Sequence, residues 1–452
     1  MFLSAAAAVA AAVGVGLWIV ARAWPAREPL PWLAWIGLAG LLGPCAVGFG
    51  LLLCGTAGLP APVSVPALAA ASAAATVDGI RRRAVLPAVS RGSRADHMLA
   101  VLVLLAATWT GMIAMRTHLG WDGTVVWYHK ARLIADNDGA PPVQALADAT
   151  RTWAAPDYPL QVPLAMAWVR LWLPVEDERA IKLLPAAWAS ALFCIVAAAV
   201  LERSREDPYR TLRAAGAVLV LATAPRVLVG EGSVTSGYAD GPMAALLAAT
   251  VWTAWRAGWG RDRRFTYLLA LLGVALAWTK QEGTAAVIVL AFGCVWSQRR
   301  WTAGSFALPA MVLAAAWQVW TMAQGAPTGM AYAWPGVWQA AARVAPIAGA
   351  YIAEALDLGT WGVLWPGLCG ALVCNWTRSH RMPLAMLVAV GVIAAGAFTV
   401  SVWPDVHEHL RVTVPRQLVQ LAALATLLAF SAGCTIPDSR PTESSKLPAE
   451  GH

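Results

Sequence analysis

The stretch MLAVLVLLAATWTGMIAM (residues 98–115) runs through RTHL into GWDGTVVWYHK (residues 120–130). The first part carries no charge along 18 residues. An α-helix rises about 1.5 Å per residue, so ~20 apolar residues cross the ~30 Å hydrocarbon core of a bilayer. The second part is too polar to continue that helix. It sets Asp122, Trp121, Trp127 and Lys130 just beyond its end. The two parts together read as a membrane helix that delivers an acidic, aromatic loop to one membrane surface.

The rest of the chain has the same character. Of its 452 residues, 59% are hydrophobic and only 13% are charged, against about 25% charged in soluble domains. The mean hydropathy of +0.59 agrees. Further apolar stretches fall at 2–21, 31–54, 59–77, 180–201, 212–230, 240–256, 266–279, 283–297, 303–321, 347–374, 383–403 and 413–432. The expected fold is therefore all-α, a polytopic transmembrane bundle of roughly 11–14 spans. A transmembrane β-barrel is excluded, because its strands would alternate apolar and polar residues over about ten positions. Residues 2–21 lack a basic leader and are read as a retained helix. Residues 1–80 form an additional N-terminal helix set, 81–432 the core, and 433–452 a polar, disordered cytoplasmic tail.

The net charge of +8 comes from short arginine clusters between spans: 81–94, 203–213, 256–264, 299–300 and 378–381. This is the positive-inside pattern of a cytoplasmic membrane protein rather than a nucleic-acid footprint. The loops 117–157, 231–239, 280–282, 322–346 and 404–412 then face outward. To reconcile the first outer loop with the inner cluster at 203–213, the stretch 158–174, interrupted by Pro159 and Pro163, is expected to be re-entrant. Seven cysteines show no metal or redox spacing and read as packing residues. Many of the 25 tryptophans lie at span ends, as interfacial anchors do. The sequon at Asn375 falls on the cytoplasmic side.

This topology gathers the unusual polar residues on the outer face. They are Asp122, Lys130, Asp157 and Tyr158; Tyr238 and Asp240 in GYADGP; Lys280 and Glu282 in TKQEG; and His407, Glu408, His409 and Arg411 in WPDVHEHLR, with Arg416 following. An ionisable group at a membrane helix centre costs about 2.5–3.5 kcal/mol, so such residues tend to mark function. Simpler roles compete. Asp122 and Asp240 could each cap the helix that follows. Lys280 and Glu282 could be a local ion pair. His407 and His409, with Glu408, are weak candidates for a divalent metal such as Mg or Mn.

At WDGTVVWYHKA, PDYPLQVPL, GYADGP and TKQEG, in that order, the chain resembles the GT-C superfamily of membrane glycosyltransferases, particularly bacterial members related to family 39. The resemblance covers about residues 97–420. Ala155 stands where close relatives have a His before PDYP, and Asp122 is followed by Gly-Thr rather than a second acid. The resemblance implies juxtamembrane helices in the first outer loop. It also implies a polyprenyl-phosphate-linked sugar donor and an envelope glycan, lipid or protein acceptor at the outer face. Asp122 would be the general base. Arg411, or else Lys280 or Arg416, would meet the leaving phosphate. Trp121, Trp127, Lys130, Asp157, Tyr158, Tyr238, Asp240 and Glu282 would line the substrates. The competing classes are a transporter or flippase of a lipid-linked or small substrate, with ionisable groups at the membrane midplane, and an envelope scaffold. Convergence of the acids and cations in one outward cavity discriminates the enzyme from both.

Overall fold

The computed structural model describes residues 1–26, 28–85, 94–296, 300–326, 336–374, 380–401 and 405–431. The 433–452 tail, the Asn375 sequon and parts of the 81–94, 299–300 and 378–381 clusters lie outside these residues. The described residues are helical, without β-strands. Four long helices come first: α1 (Phe2–Ala23), α2 (Trp32–Thr56), α3 (Ala61–Val85) and α4 (Arg94–Arg116). The loop after α4 holds a π-helical turn at Gly123–Tyr128, then α5 (His129–Asp136), α6 (Val143–Ala147) and a 3-10 segment at Ala149–Ala154. The chain continues through α7 (Gln161–Leu171), α8 (Glu178–Ile181), α9 (Leu183–Arg203), α10 (Arg210–Thr223) and α11 (Pro225–Leu228). Next come α12 (Asp240–Arg256), α13 (Thr266–Thr279), α14 (Gln281–Trp296) and α15 (Arg300–Ala323). The last elements are α16 (Val337–Leu356), α17 (Leu358–Trp361), α18 (Leu364–Cys374), α19 (Arg381–Gly396) and α20 (Val406–Ser431).

Among the described residues, eight helical segments are long and apolar enough to cross a membrane: α1–α4, α8 with α9, α15, α19 with the turn after it, and α20. The expected 11–14 included shorter ones. Of these, α12, α13 and α14 have 17, 14 and 16 residues. They nevertheless join the same two ends of the bundle. At the arginine end, Glu28 between α1 and α2 meets Arg256 of α12 at 3.3 Å and Arg264 before α13 at 2.9 Å. There too Arg210 of α10 stands 3.7 Å from Asp96 of α4, and His380 meets the Ser431 carbonyl at 3.0 Å. At the opposite end, Lys182 donates to the Thr117 and His118 carbonyls at 2.7 and 2.8 Å, and the Ala61 N–H donates to Asp138 at 2.8 Å.

Both ends of α7 lie on the Asp122 side. Its first residue, Gln161, bonds Thr279 at the end of α13. The segment after it sends Glu176 to the Tyr128 hydroxyl at 3.1 Å and Glu178 to the Leu119 N–H at 2.8 Å. The apolar stretch 347–374, expected as one span, is three helices. Asp357 breaks it, because its carboxylate accepts from the N–H groups of Gly359 and Thr360 and caps α17. The preceding α16 has both its ends at the Asp122 side: Arg343 donates to the Ser401 carbonyl at 2.7 Å and Glu354 pairs with Arg226 at 3.4 Å.

The centre of the bundle is α12, which packs against α9, α13 and α20. It is buried from Asp240 through Trp255. A helix apolar all round belongs in such a core. Its first residue, Asp240, is thereby taken out of solvent, and every charge near that tip must find a partner.

Candidate functional site

Asp240 is 0% exposed and three side chains converge on it. Lys280 Nζ lies 3.0 Å from Oδ1, Arg416 Nε lies 3.3 Å from Oδ2, and Gln420 donates to Oδ1. Lys280 also reaches Glu282 at 2.8 Å. The far side of Arg416 meets Asp122 Oδ2 at 2.8 Å. The result is an alternating chain, Asp122–Arg416–Asp240–Lys280–Glu282, with three carboxylates and two cations. Pairing of this kind offsets the desolvation of charges held inside a protein.

Each member is placed by its local backbone. Lys280 is extended, at φ −159° and ψ 157°, in the break between α13 and α14. Arg416 and Gln420 sit one turn apart on α20, so they share a face. Asp122 is set by close approach: a Cβ on Gly123 would stand 2.4 Å from the Ser236 carbonyl oxygen, and one on Gly120 2.5 Å from the Tyr238 ring. The WDG loop is thus pressed onto the GYADGP loop. The Tyr238 hydroxyl accepts the Asp122 N–H at 2.9 Å, while the Tyr238 ring lies under the Arg416 guanidinium at 4.6 Å. Neither aspartate caps its helix: Asp122 makes no side-chain cap bond, and Asp240 is the first helical residue rather than the cap.

Beside this chain lies a second cluster. Lys130 is 1% exposed. Its ammonium donates to the Ala155 carbonyl at 2.6 Å and faces the rings of Trp127 at 5.5 Å and Tyr158 at 5.7 Å. Ala155 is held at φ +44°, a left-handed conformation that costs a non-glycine residue roughly 1–2 kcal/mol. Asp157 follows, accepting from Gln281 at 3.0 Å, while its carbonyl accepts from Trp317 at 2.9 Å. Lys130 therefore ties the PDYP turn to α5.

Burial pushes the Lys130 ammonium down to about 7, whereas an unfolded lysine titrates near about 10.4. Between those values the unfolded chain binds more protons, so stability should rise with pH across that window, by a few kcal/mol in order of magnitude. The melting temperature of the solubilised protein should climb from about pH 7 to about pH 10, and Lys130→Met should flatten that climb. An equal climb in both proteins would remove Lys130 as its cause.

Other expected site residues lie apart. Arg411 is exposed and held by Glu408 at 2.6 Å, so Arg416 is the arginine that reaches Asp122. Trp121 is 69% exposed. His409 is buried, with Nδ1 2.9 Å from the Ser401 hydroxyl, and the N–H of His407 donates to Asp405, which caps α20. His407, Glu408 and His409 do not converge, and no group of three or more metal-ligating side chains forms among the described residues.

A cleft of about 210 Å³ opens at the Glu282 end of the ion-pair chain. Tyr158, Gln281, Glu282, His409, Thr413, Gln417 and Gln420 supply its polar wall, and Val390, Ile393 and Phe398 are part of its apolar one. The three glutamines are absent from the sequence-based set. Their signal was present: Gln417 and Gln420 are amides inside an apolar span, directly after Arg416.

The fold and this site define a multi-pass, all-helical membrane protein with a buried chain of ion pairs at one end of its bundle. Comparison with protein-family models, curated proteins and solved structures finds no match to the chain.

Proposed function

We propose that this protein is a membrane glycosyltransferase that moves a sugar from a polyprenyl-phosphate donor to an acceptor in the cell envelope. In this reading the Asp122 end of the bundle faces outward from the cytoplasmic membrane. The carrying observation is the convergence of Asp122, Arg416, Asp240, Lys280 and Glu282 at one end of the bundle beside a cleft. Asp122, Asp240, Lys280 and Glu282 come from the segments that carry the resemblance to GT-C enzymes, and Arg416 comes from α20, outside them. A transporter would set its ionisable groups along a path at the midplane, and a scaffold would leave the two aspartates as helix caps.

Asp122 is suited to act as base. Its Oδ2 is fixed by Arg416, its side chain is 25% exposed, and Oδ1 accepts no hydrogen bond among the described residues. In the proposed step Oδ1 takes the acceptor hydroxyl proton while that oxygen attacks the anomeric carbon, and the bond to the lipid phosphate breaks with inversion. Protonation removes the charge that Asp122 offers Arg416. The guanidinium then loses one of its two carboxylate partners and is available to the phosphate on which charge develops. Base and electrostatic stabiliser are so coupled through one contact.

Deletion of the gene tests the reading. The expected outcome is loss of one sugar from the surface glycans or lipids, with accumulation of the matching polyprenyl-phosphate sugar. Unchanged glycans and lipid-linked sugars would overturn it.

A further inference from the structure

A second cavity lies at the other end of the molecule. It measures about 710 Å³ and lies between the start of α2, the end of α3, the start of α4 and the end of α9, within the ~300–1,000 Å³ usual for ligand sites. Arginines reach it from four helices or their flanks: Arg83, Arg205, Arg210 and Arg256. The acids facing them are Glu28, Asp96 and Glu202. Two of these are spent on Arg256, which lies 2.5 Å from Glu202 and 3.3 Å from Glu28.

The remaining cations are weakly matched. Arg83 donates to the Leu30 carbonyl at 2.7 Å and meets no carboxylate among the described residues. Among the described residues Arg205 is paired with Glu206 alone, at 3.9 Å and largely in solvent. Arg210 stands 3.7 Å from Asp96. His97 adds one more polar side chain, and the remainder of the lining, including Trp32, Leu33, Ala100, Ala198 and Leu201, is apolar. The shape adds a third fact. Helices α2 and α4 each pack closely on α9 but not on one another, which leaves a gap between them over α9, where Ala198 and Leu201 line the cavity. A soluble anion needs no apolar side opening between membrane helices. A phospholipid needs both that opening and a cationic rim.

We infer that this cavity binds one anionic phospholipid, with its headgroup phosphate among Arg83, Arg205 and Arg210 and an acyl chain in the gap between α2 and α4. The inference is independent of the glycosyltransferase reading, since no residue is shared with the Asp122 site.

Purified protein is titrated with phosphatidylglycerol or phosphatidylcholine, and bound lipid is counted by native mass spectrometry alongside the melting temperature. Phosphatidylglycerol should be retained at one molecule per chain and raise the melting temperature, and phosphatidylcholine should do neither. An arginine near an anionic lipid surface contributes about 1 kcal/mol, so Arg205→Gln with Arg210→Gln should weaken phosphatidylglycerol binding about tenfold or more. Arg81→Gln with Arg263→Gln removes the same charge outside the cavity and should leave binding unchanged. Ala100→Trp fills the apolar wall without touching the arginines and should also displace the lipid. Equal retention of the two lipids, equal weakening by both arginine pairs, or stabilisation by glycerol phosphate alone would each overturn the inference.

Discussion

Asp122→Asn is expected to abolish sugar transfer while the protein stays folded in the membrane. The substitution keeps the shape of the side chain and removes its basicity, and a positioned general base contributes typically 10²–10⁴-fold in rate. Stability should change little, because Arg416 keeps Asp240 at 3.3 Å and the Tyr238 hydroxyl still accepts the residue 122 N–H. The measurement is transfer of labelled sugar in membrane vesicles from cells that carry the variant, normalised to inserted protein. Arg411→Ala serves as the control. Its side chain is 72% exposed and, among the described residues, tied to Glu408 alone, so transfer should stay near the unaltered rate. Retention of most activity by Asp122→Asn would withdraw the base, and a loss in Arg411→Ala as deep as that of Asp122→Asn would return Arg411 to the donor site.

The contrast between those arginines shows what the sequence could and could not supply. Residues 411 and 416 lie five positions apart on one helix. At about 100° per residue they point some 140° apart, so one of them faces the α12 tip and the other does not. Composition and loop order bring both to the same end of the bundle, but only packing fixes the rotation of α20. The long helices were legible for a related reason: an unbroken apolar run such as 98–115 has few alternatives in a membrane. The break at Asp357 was not, because one acid in a long apolar stretch barely alters its average while its carboxylate rearranges the backbone around it. Lys130 stands out in the sequence by its charge, but its burial depends on a distant turn, Ala155 to Tyr158, folding over it. The buried glutamines carry a weaker signal, since an amide costs an apolar span less than a charge does.

Asp240→Ala carries the largest expected loss of stability. Asp240 is the one carboxylate shared by both cations and has no exposure of its own. Its removal leaves Lys280 with Glu282 and Arg416 with Asp122, while the two cations face each other without the anion between them and Gln420 loses its acceptor. Removing one partner of a buried pair costs about 3–5 kcal/mol. Because each cation keeps a second carboxylate, the loss belongs near the lower bound, about 3 kcal/mol. The same logic predicts partial rescue. With Lys280→Met added, one of the two cations left facing each other disappears, and the double variant should lose less than the sum of the single ones, with a coupling of about 0.5–3 kcal/mol. Unfolding of the four proteins in mixed micelles reads this directly. Strict additivity would mean that Asp240 and Lys280 are neighbours without being partners, and the alternating chain would then no longer explain why α12 can end in a buried acid.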